Sequence, residues 1–167
     1  MKSWKTALKK NPSLAFVHYK KSYDVLKMSK VIDCDCGYGY YAHALLNGIG
    51  CEQNEEEAKL AILDAINRMD KFTCSHVVTY YAYFTLSGDD RFNPNKAIEL
   101  LEFNYPFYRY DISRVVYLQK VLQKENKKSS KLDSLVSDLD KYYTKEEIKY
   151  YKESIIEDIP RPYWKNI

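Results

Sequence analysis

Glycine, proline and long apolar runs are scarce in this chain of 167 residues, which contains 5 Gly and 5 Pro. A turn-rich β-sandwich needs many such residues, so their scarcity favours helices. They are also too few, beside 17 Tyr and 6 Phe, for a collagen-like or wholly disordered chain. No apolar run approaches the roughly 20 residues that span a bilayer. The composition therefore predicts an all-α globular protein with no membrane partner.

We expect no export signal at the amino end. The first ten residues are basic, but Asn11, Pro12 and His18 interrupt any signal-peptide core. We therefore expect a cytoplasmic protein, and in that compartment thiols are reduced. The cysteines are few and unevenly spaced: Cys34, Cys36, Cys51 and Cys74.

Metal and catalytic chemistry are not predicted. Cys34, Cys36, His43 and Cys51 have the ligand types for zinc, but their spacing matches no usual zinc motif. The three histidines are scattered, and no Ser or Cys stands at a spacing that suggests a catalytic triad. We therefore expect no metal, no cofactor and no enzymatic activity.

An internal repeat organises the middle of the chain. The segment YYAHALLNG, residues 40–48, aligns with YYAYFTLSG, residues 80–88, with five identities in nine positions. Each glycine is followed by a polar loop and a second helical pattern. Asn54 and Asn93 stand where these second helices should begin, and Asn11 gives a similar signal earlier. The pattern predicts two helices per repeat, with Gly48 and Gly50 turning the chain at positive φ.

The segment from Gly37 to about Glu102 resembles the Sel-1-like repeats, a branch of the tetratricopeptide-like α-solenoids. The residues that match the repeat pattern in the first copy are Gly37, Ala42, Leu45, Gly48, Gly50, Asn54, Ala58 and Ala65. Those of the second copy are Val77, Ala82, Gly88, Asn93, Lys96 and Ala97. The chain departs from the pattern in having Tyr41 and Tyr81 in place of Leu, Thr85 in place of an aromatic residue and Asp90 in place of a loop glycine.

The resemblance implies one domain, 1–167, folded as a short right-handed α-solenoid of about eight helices in antiparallel pairs. Residues 1–36 would form a basic helical cap, 37–105 two Sel-1-like repeats, and 106–167 a degenerate repeat with capping helices. Such proteins bind other proteins, frequently as adaptors, regulators or bacterial immunity proteins. The implied function is therefore a non-enzymatic protein that binds and occludes a partner, such as a toxin or effector.

The charge distribution indicates the sign of the partner's surface. Residues 1–30 carry a net charge of +7, residues 31–102 carry −7, and residues 103–167 carry +3. Four acidic residues lie at corresponding loop ends of the two repeats: Glu55, Glu56, Asp89 and Asp90. Stacked repeats would bring these like charges side by side, so we expect them to serve a basic partner surface.

Aromatic residues of the repeats divide by helix face. Tyr41 and Tyr81 should face the neighbouring helix, which places the residues beside them nearer an inner, partner-binding surface. These residues are Tyr40, His43, Tyr80 and Tyr83. Exposed tyrosines are favoured at protein interfaces. Packing of Tyr80 between repeats is the open alternative at this point.

Nucleic acid is the alternative partner. Residues 1–30 combine eight lysines with aromatic residues, namely Trp4, Phe16, Tyr19 and Tyr23. Such a combination can bind phosphates and stack bases. The acidic middle of the chain would oppose a long nucleic-acid track, so this partner is not favoured. The sequence contains no signal for an oligomeric state, and a general adaptor role stays open.

Overall fold

A computed structural model describes residues 11–29, 36–68, 75–103 and 112–154. Within these ranges the chain forms eight α-helices and no β-strand, which confirms the predicted all-α fold. The helices are α1 (Pro12–Met28), α2 (Cys36–Asn47), α3 (Glu55–Arg68), α4 (Ser75–Ser87), α5 (Pro94–Glu102), α6 (Ile112–Lys124), α7 (Ser130–Leu139) and α8 (Lys145–Ser154).

The chain divides into two compact units, residues 1–77 and 78–167, with the division inside α4. The right-handed solenoid and the boundaries of the cap and repeats stay predictions from the sequence.

The three predicted asparagine caps are confirmed. The backbone N–H of Leu14 donates to Asn11 Oδ1 at 3.0 Å, and that of Glu57 donates to Asn54 Oδ1 at 3.0 Å. Asn93 Oδ1 accepts from the backbone N–H groups of the second and third residues of α5, at 2.8 and 3.2 Å. These bonds satisfy donors that the first turn of a helix leaves unpaired. The same short-range signal therefore starts α1, α3 and α5.

The glycines of the repeat turn the chain as expected. Gly48 and Gly88, which follow α2 and α4, have φ of +64° and +87°. Gly50 has φ of +71°, and a Cβ atom there would lie 2.1 Å from the carbonyl oxygen of Pro12. The loop before α3 thus passes against the backbone at the start of α1.

The described part of the first unit contains helices α1, α2 and α3 and the first three residues of α4. Contacts run in opposite directions along α1 and α2, because Phe16 meets Tyr41 while Tyr23 meets Tyr38. Helices α2 and α3 are likewise antiparallel. The buried side chains of these two helices include Tyr38, Tyr41, Ala42, Leu45, Ala58, Ala61, Ile62 and Ala65. The predicted inward orientation of Tyr41 is confirmed, since it is 1 % exposed.

The second unit contains most of α4 and the helices from α5 to α8. The Tyr81 hydroxyl accepts from the backbone N–H of Asn93 at 3.0 Å, which holds the end of α4 against the start of α5. Arg114 of α6 donates to the carbonyl oxygens of Leu101 and Leu100, at 2.6 and 2.9 Å. The core of this unit includes Phe84, Phe92, Leu101, Ile112, Val115, Leu118 and Val121.

Candidate protein-binding surface

The inner face of α1 is packed against α2 by aromatic rings. Tyr19 stacks on Tyr40 with ring centroids 5.5 Å apart, and Tyr23 stacks on Tyr41 at 4.6 Å. Phe16 also stacks on Tyr41, at 5.7 Å. Aromatic pairs at these separations stabilise a helix interface beyond the area they bury. The rotation of α1 about its own axis is therefore determined, and its opposite face points away from α2.

That opposite face carries an exposed apolar stripe. Leu14, Val17, Val25 and Met28 are 52 %, 56 %, 54 % and 77 % exposed. With Lys21 in the middle, these residues follow one another at sequence intervals of three, four, four and three. This spacing aligns side chains along one side of a helix. We call these five residues the outer face of α1. Four of the eight large apolar side chains that are exposed in the described residues lie on it.

The three lysines of α1 are not equivalent. Lys20 forms an ion pair with Asp24 at 3.0 Å, and its Nζ also lies 5.9 Å from the Tyr41 ring centroid. Lys27 Nζ lies 5.6 Å from the Tyr23 ring centroid. Lys21 is exposed, and no ion pair among the described residues includes it. The stripe therefore has one cation in its middle that no acidic residue in the described ranges neutralises.

The predicted site residues of the first unit have different environments. Tyr40 is half-buried between Tyr19 and His76, with ring centroids 5.5 and 5.2 Å away. His43 is half-buried, and its Nδ1 lies 3.2 Å from Asn47 Nδ2. Glu55 and Glu56 are exposed in the first turn of α3, where Glu55 pairs with Lys59 at 2.7 Å. Among these four residues, only the two glutamates are exposed.

Two predictions in the second unit need correction. Tyr80 is 1 % exposed, so it packs in the interior and cannot present a surface to a partner. Asp89 is 14 % exposed at its side chain and forms a paired contact with Arg91, at 2.9 and 2.7 Å. The ion pair neutralises the carboxylate that was expected to face a partner. Tyr83 is half-buried against Phe84, and Asp90 remains exposed.

Buried tyrosines bind acidic residues of α3 and thereby use part of the acidic charge within the fold. The Tyr41 hydroxyl donates to Glu57, which also accepts from the Asn54 side chain at 3.2 Å. The Tyr38 hydroxyl donates to Asp64 at 3.1 Å. Burial, and then the nearby carboxylate, raises the pKa of Tyr41 and raises that of Tyr38 to about 12. Glu57 and Asp64 are therefore structural, whereas Glu56 is exposed.

Cysteines show no specialised chemistry in the described residues. Cys36 and Cys51 are half-buried and form no disulfide, while Cys34 and Cys74 lie outside the described ranges. The Cys51 thiol donates to the carbonyl oxygen of Ala44 at 3.6 Å, and burial raises its pKa. A raised pKa lowers the fraction of reactive thiolate. Across the described ranges, no group of three or more His, Cys, Asp or Glu residues is placed to hold a metal ion.

The described aromatic residues of the nucleic-acid alternative are packed within the fold. Phe16, Tyr19 and Tyr23 all pack against rings of α2, so they are not presented for stacking on bases. Trp4, the remaining aromatic residue of that prediction, lies outside the described residues. The apolar side chains that α1 exposes to solvent are aliphatic.

A second apolar feature is a cleft of about 140 Å³ between α6, α7 and α8. Its floor contains Val115, Val136, Leu139 and Ile148. Typical ligand pockets measure roughly 300 to 1,000 Å³, so this cleft is small for a cofactor or substrate. The outer face of α1 is therefore the more extensive candidate surface.

Sequence reasoning missed the outer face of α1. Two apolar sets run along this helix, and the sequence analysis used only the aromatic set, which includes Phe16 and Tyr23, as part of a possible nucleic-acid surface. The second set was visible as Leu14, Val17, Val25 and Met28 at helical spacing. A helix with apolar residues on two opposite sides predicts packing on both sides.

No protein-family model, curated protein or solved structure matches this chain. The likeness to Sel-1-like repeats therefore stays a prediction from the residues quoted above. None of the helices in the described part of the chain is both long and apolar enough to cross a membrane.

Proposed function

We propose that this chain is a non-enzymatic protein-binding protein whose partner lays a helix along the outer face of α1. One observation carries the proposal: α1 exposes an apolar stripe on the side opposite to its aromatic contacts with α2. Contiguous exposed apolar residues with polar residues around them mark interaction sites. The stripe extends about 21 Å from Leu14 to Met28 at 1.5 Å per residue, which is enough for a helix of four turns.

A helix is the partner element that suits this stripe. Its residues follow one another at intervals of three or four, which place them along one side of α1 where a second helix can pack. The helix that carries them is already held by α2, so binding would require little ordering of the protein itself. The surface would thus bind a partner by extending the helix packing that the first unit already uses.

The test places a photo-cross-linking amino acid at Val17, with Gln123 on α6 as the matched exposed control. In cells that produce the protein naturally, we expect a covalent adduct with another protein at position 17 and none of that mass at position 123. The captured protein is then purified and its affinity measured. We expect the double variant Val17→Glu, Val25→Glu to bind at least tenfold more weakly, with the melting temperature within a few degrees of the parent. Equal affinity of parent and variant would disprove the proposal.

A basic partner, such as a toxin or effector that this chain occludes, is the second proposal. It is supported by the exposed glutamates at the start of α3 and by Asp90, and by the resemblance to repeat proteins that act as regulators. Complementary charge mainly accelerates association, so we expect Glu56→Lys with Asp90→Lys to slow binding of the captured partner severalfold at low salt. Asp89 is left unchanged because Arg91 already neutralises it. A partner that associates with the double variant at the parent's rate at low salt would remove this proposal.

A further inference from the structure

The outer face of α1 is symmetric about Lys21. Leu14 and Met28 each lie seven residues from it, and Val17 and Val25 each lie four residues from it. All five side chains are exposed, and the middle one is the cation that forms no ion pair among the described residues. The stripe is thus two apolar pairs with one positive charge at their centre.

This symmetry has a consequence for self-association. If two copies paired through this face in register, whether parallel or antiparallel, Lys21 of one copy would lie against Lys21 of the other. A lysine at the centre of such a seam costs stability and determines which helices can pair. Like charges brought together in an interface act against the wrong partner. The apolar residues favour pairing with a helix, while Lys21 disfavours a second copy of this chain.

We infer that the partner helix carries a carboxylate, Asp or Glu, between two pairs of apolar residues, placed opposite Lys21. This inference rests on the proposed function, because it names the chemistry of the helix that would occupy the outer face. Lys20 does not compete for that carboxylate, since it is already paired with Asp24 at 3.0 Å. Burial of the lysine stem along the apolar stripe, with its ammonium group on the carboxylate, would satisfy both the apolar and the charged parts of the face.

The test uses two synthetic helical peptides of 21 residues as probes. Both have leucine at the four apolar positions, and they differ only at the central position, which is Glu in one and Lys in the other. By fluorescence anisotropy at low salt, we expect the parent to bind the Glu peptide at least tenfold more tightly than the Lys peptide. The variant Lys21→Glu should reverse this preference. Equal binding of the two peptides, the same preference in the parent and in Lys21→Glu, or no binding of either peptide would overturn the inference.

Self-association provides an independent arm. In sedimentation velocity, we expect the parent to form no dimer through this face. Lys21→Leu should dimerise, and adding Val17→Glu to that variant should abolish the dimer. If the parent itself dimerises through this face, or if Lys21→Leu stays monomeric, the role assigned to Lys21 is wrong. The cross-linking result at Val17 is separate, so a failure of the peptide preference is distinguishable from a failure of protein binding as such.

Discussion

Replacing Gly50 with alanine is expected to lower the free energy of unfolding by about 3 kcal/mol, since left-handed strain and a backbone clash add together. The backbone at Gly50 has φ of +71°, a conformation that residues with a Cβ atom rarely adopt. The added Cβ would also lie 2.1 Å from the Pro12 carbonyl oxygen and 2.6 Å from the Ser13 nitrogen. Backbone atoms cannot move aside as a flexible side chain can. Denaturant unfolding followed by circular dichroism measures the loss.

Gly88→Ala is the matched control for that substitution. Gly88 also has positive φ, +87°, but no atom lies within 4 Å of the position its Cβ would take. Only the conformational strain remains, so the expected cost is about 1 kcal/mol. Equal losses for the two variants would show that the contact between the loop and the start of α1 is not as described.

Replacing Arg114 with methionine is expected to cost about 3 kcal/mol, because two buried carbonyl groups lose their charged donor. Arg114 is 6 % exposed and donates to the carbonyl oxygens of Leu101 and Leu100 at the end of α5. The last carbonyls of a helix have no partner within the helix. Methionine fills similar space without a donor, so the loss measured by denaturant unfolding reports mainly on the hydrogen bonds.

Two exposed cations that also bind carbonyl groups at helix ends serve as controls for Arg114→Met. Arg68 donates to the carbonyl oxygens of Leu26 and Lys27 at 2.8 and 2.6 Å, and Lys124 donates to those of Thr85 and Leu86 at 3.2 Å. Water can replace these donors, so Arg68→Met and Lys124→Met should each cost about 1 kcal/mol or less. An Arg114→Met protein no less stable than these two would contradict the assigned role.

The predictions that the structure confirms rest on short-range signals. An asparagine cap is formed with a backbone N–H about three residues later, and a glycine turn at positive φ directly follows its helix. Predicting either one needs no information from distant parts of the chain. Asn11, Asn54 and Asn93 were therefore identifiable from sequence. The alternation of helices and the inward orientation of Tyr41 and Tyr81 follow from the same local periodicity.

The candidate surface was harder to predict because exposure depends on packing. Tyr40 and Tyr80 occupy equivalent positions in the two repeats, but Tyr80 is buried whereas Tyr40 is half-buried. The position of Asp89 in the sequence could not show that Arg91 turns back onto it. For α1, the aromatic and aliphatic stripes are both valid helix faces, and only the three-dimensional arrangement shows that α2 contacts the aromatic one. The prediction of an acidic partner-binding surface was limited in the same way, since charge totals do not reveal which carboxylates already pair with other residues of the fold.

The cations that bind the ends of other helices also order events during synthesis. The carbonyl groups at the end of α1 receive Arg68 from 41 and 42 residues later in the chain, whereas those at the end of α5 receive Arg114 from 13 and 14 residues later. At about 5 to 20 residues per second, the first interval lasts about 2 to 8 s and the second about a third as long. A ribosome that pauses between residues 28 and 67 therefore holds a nascent chain whose first helix still lacks the Arg68 donor at its end. Arg68 can close that end only after it has left the ribosome.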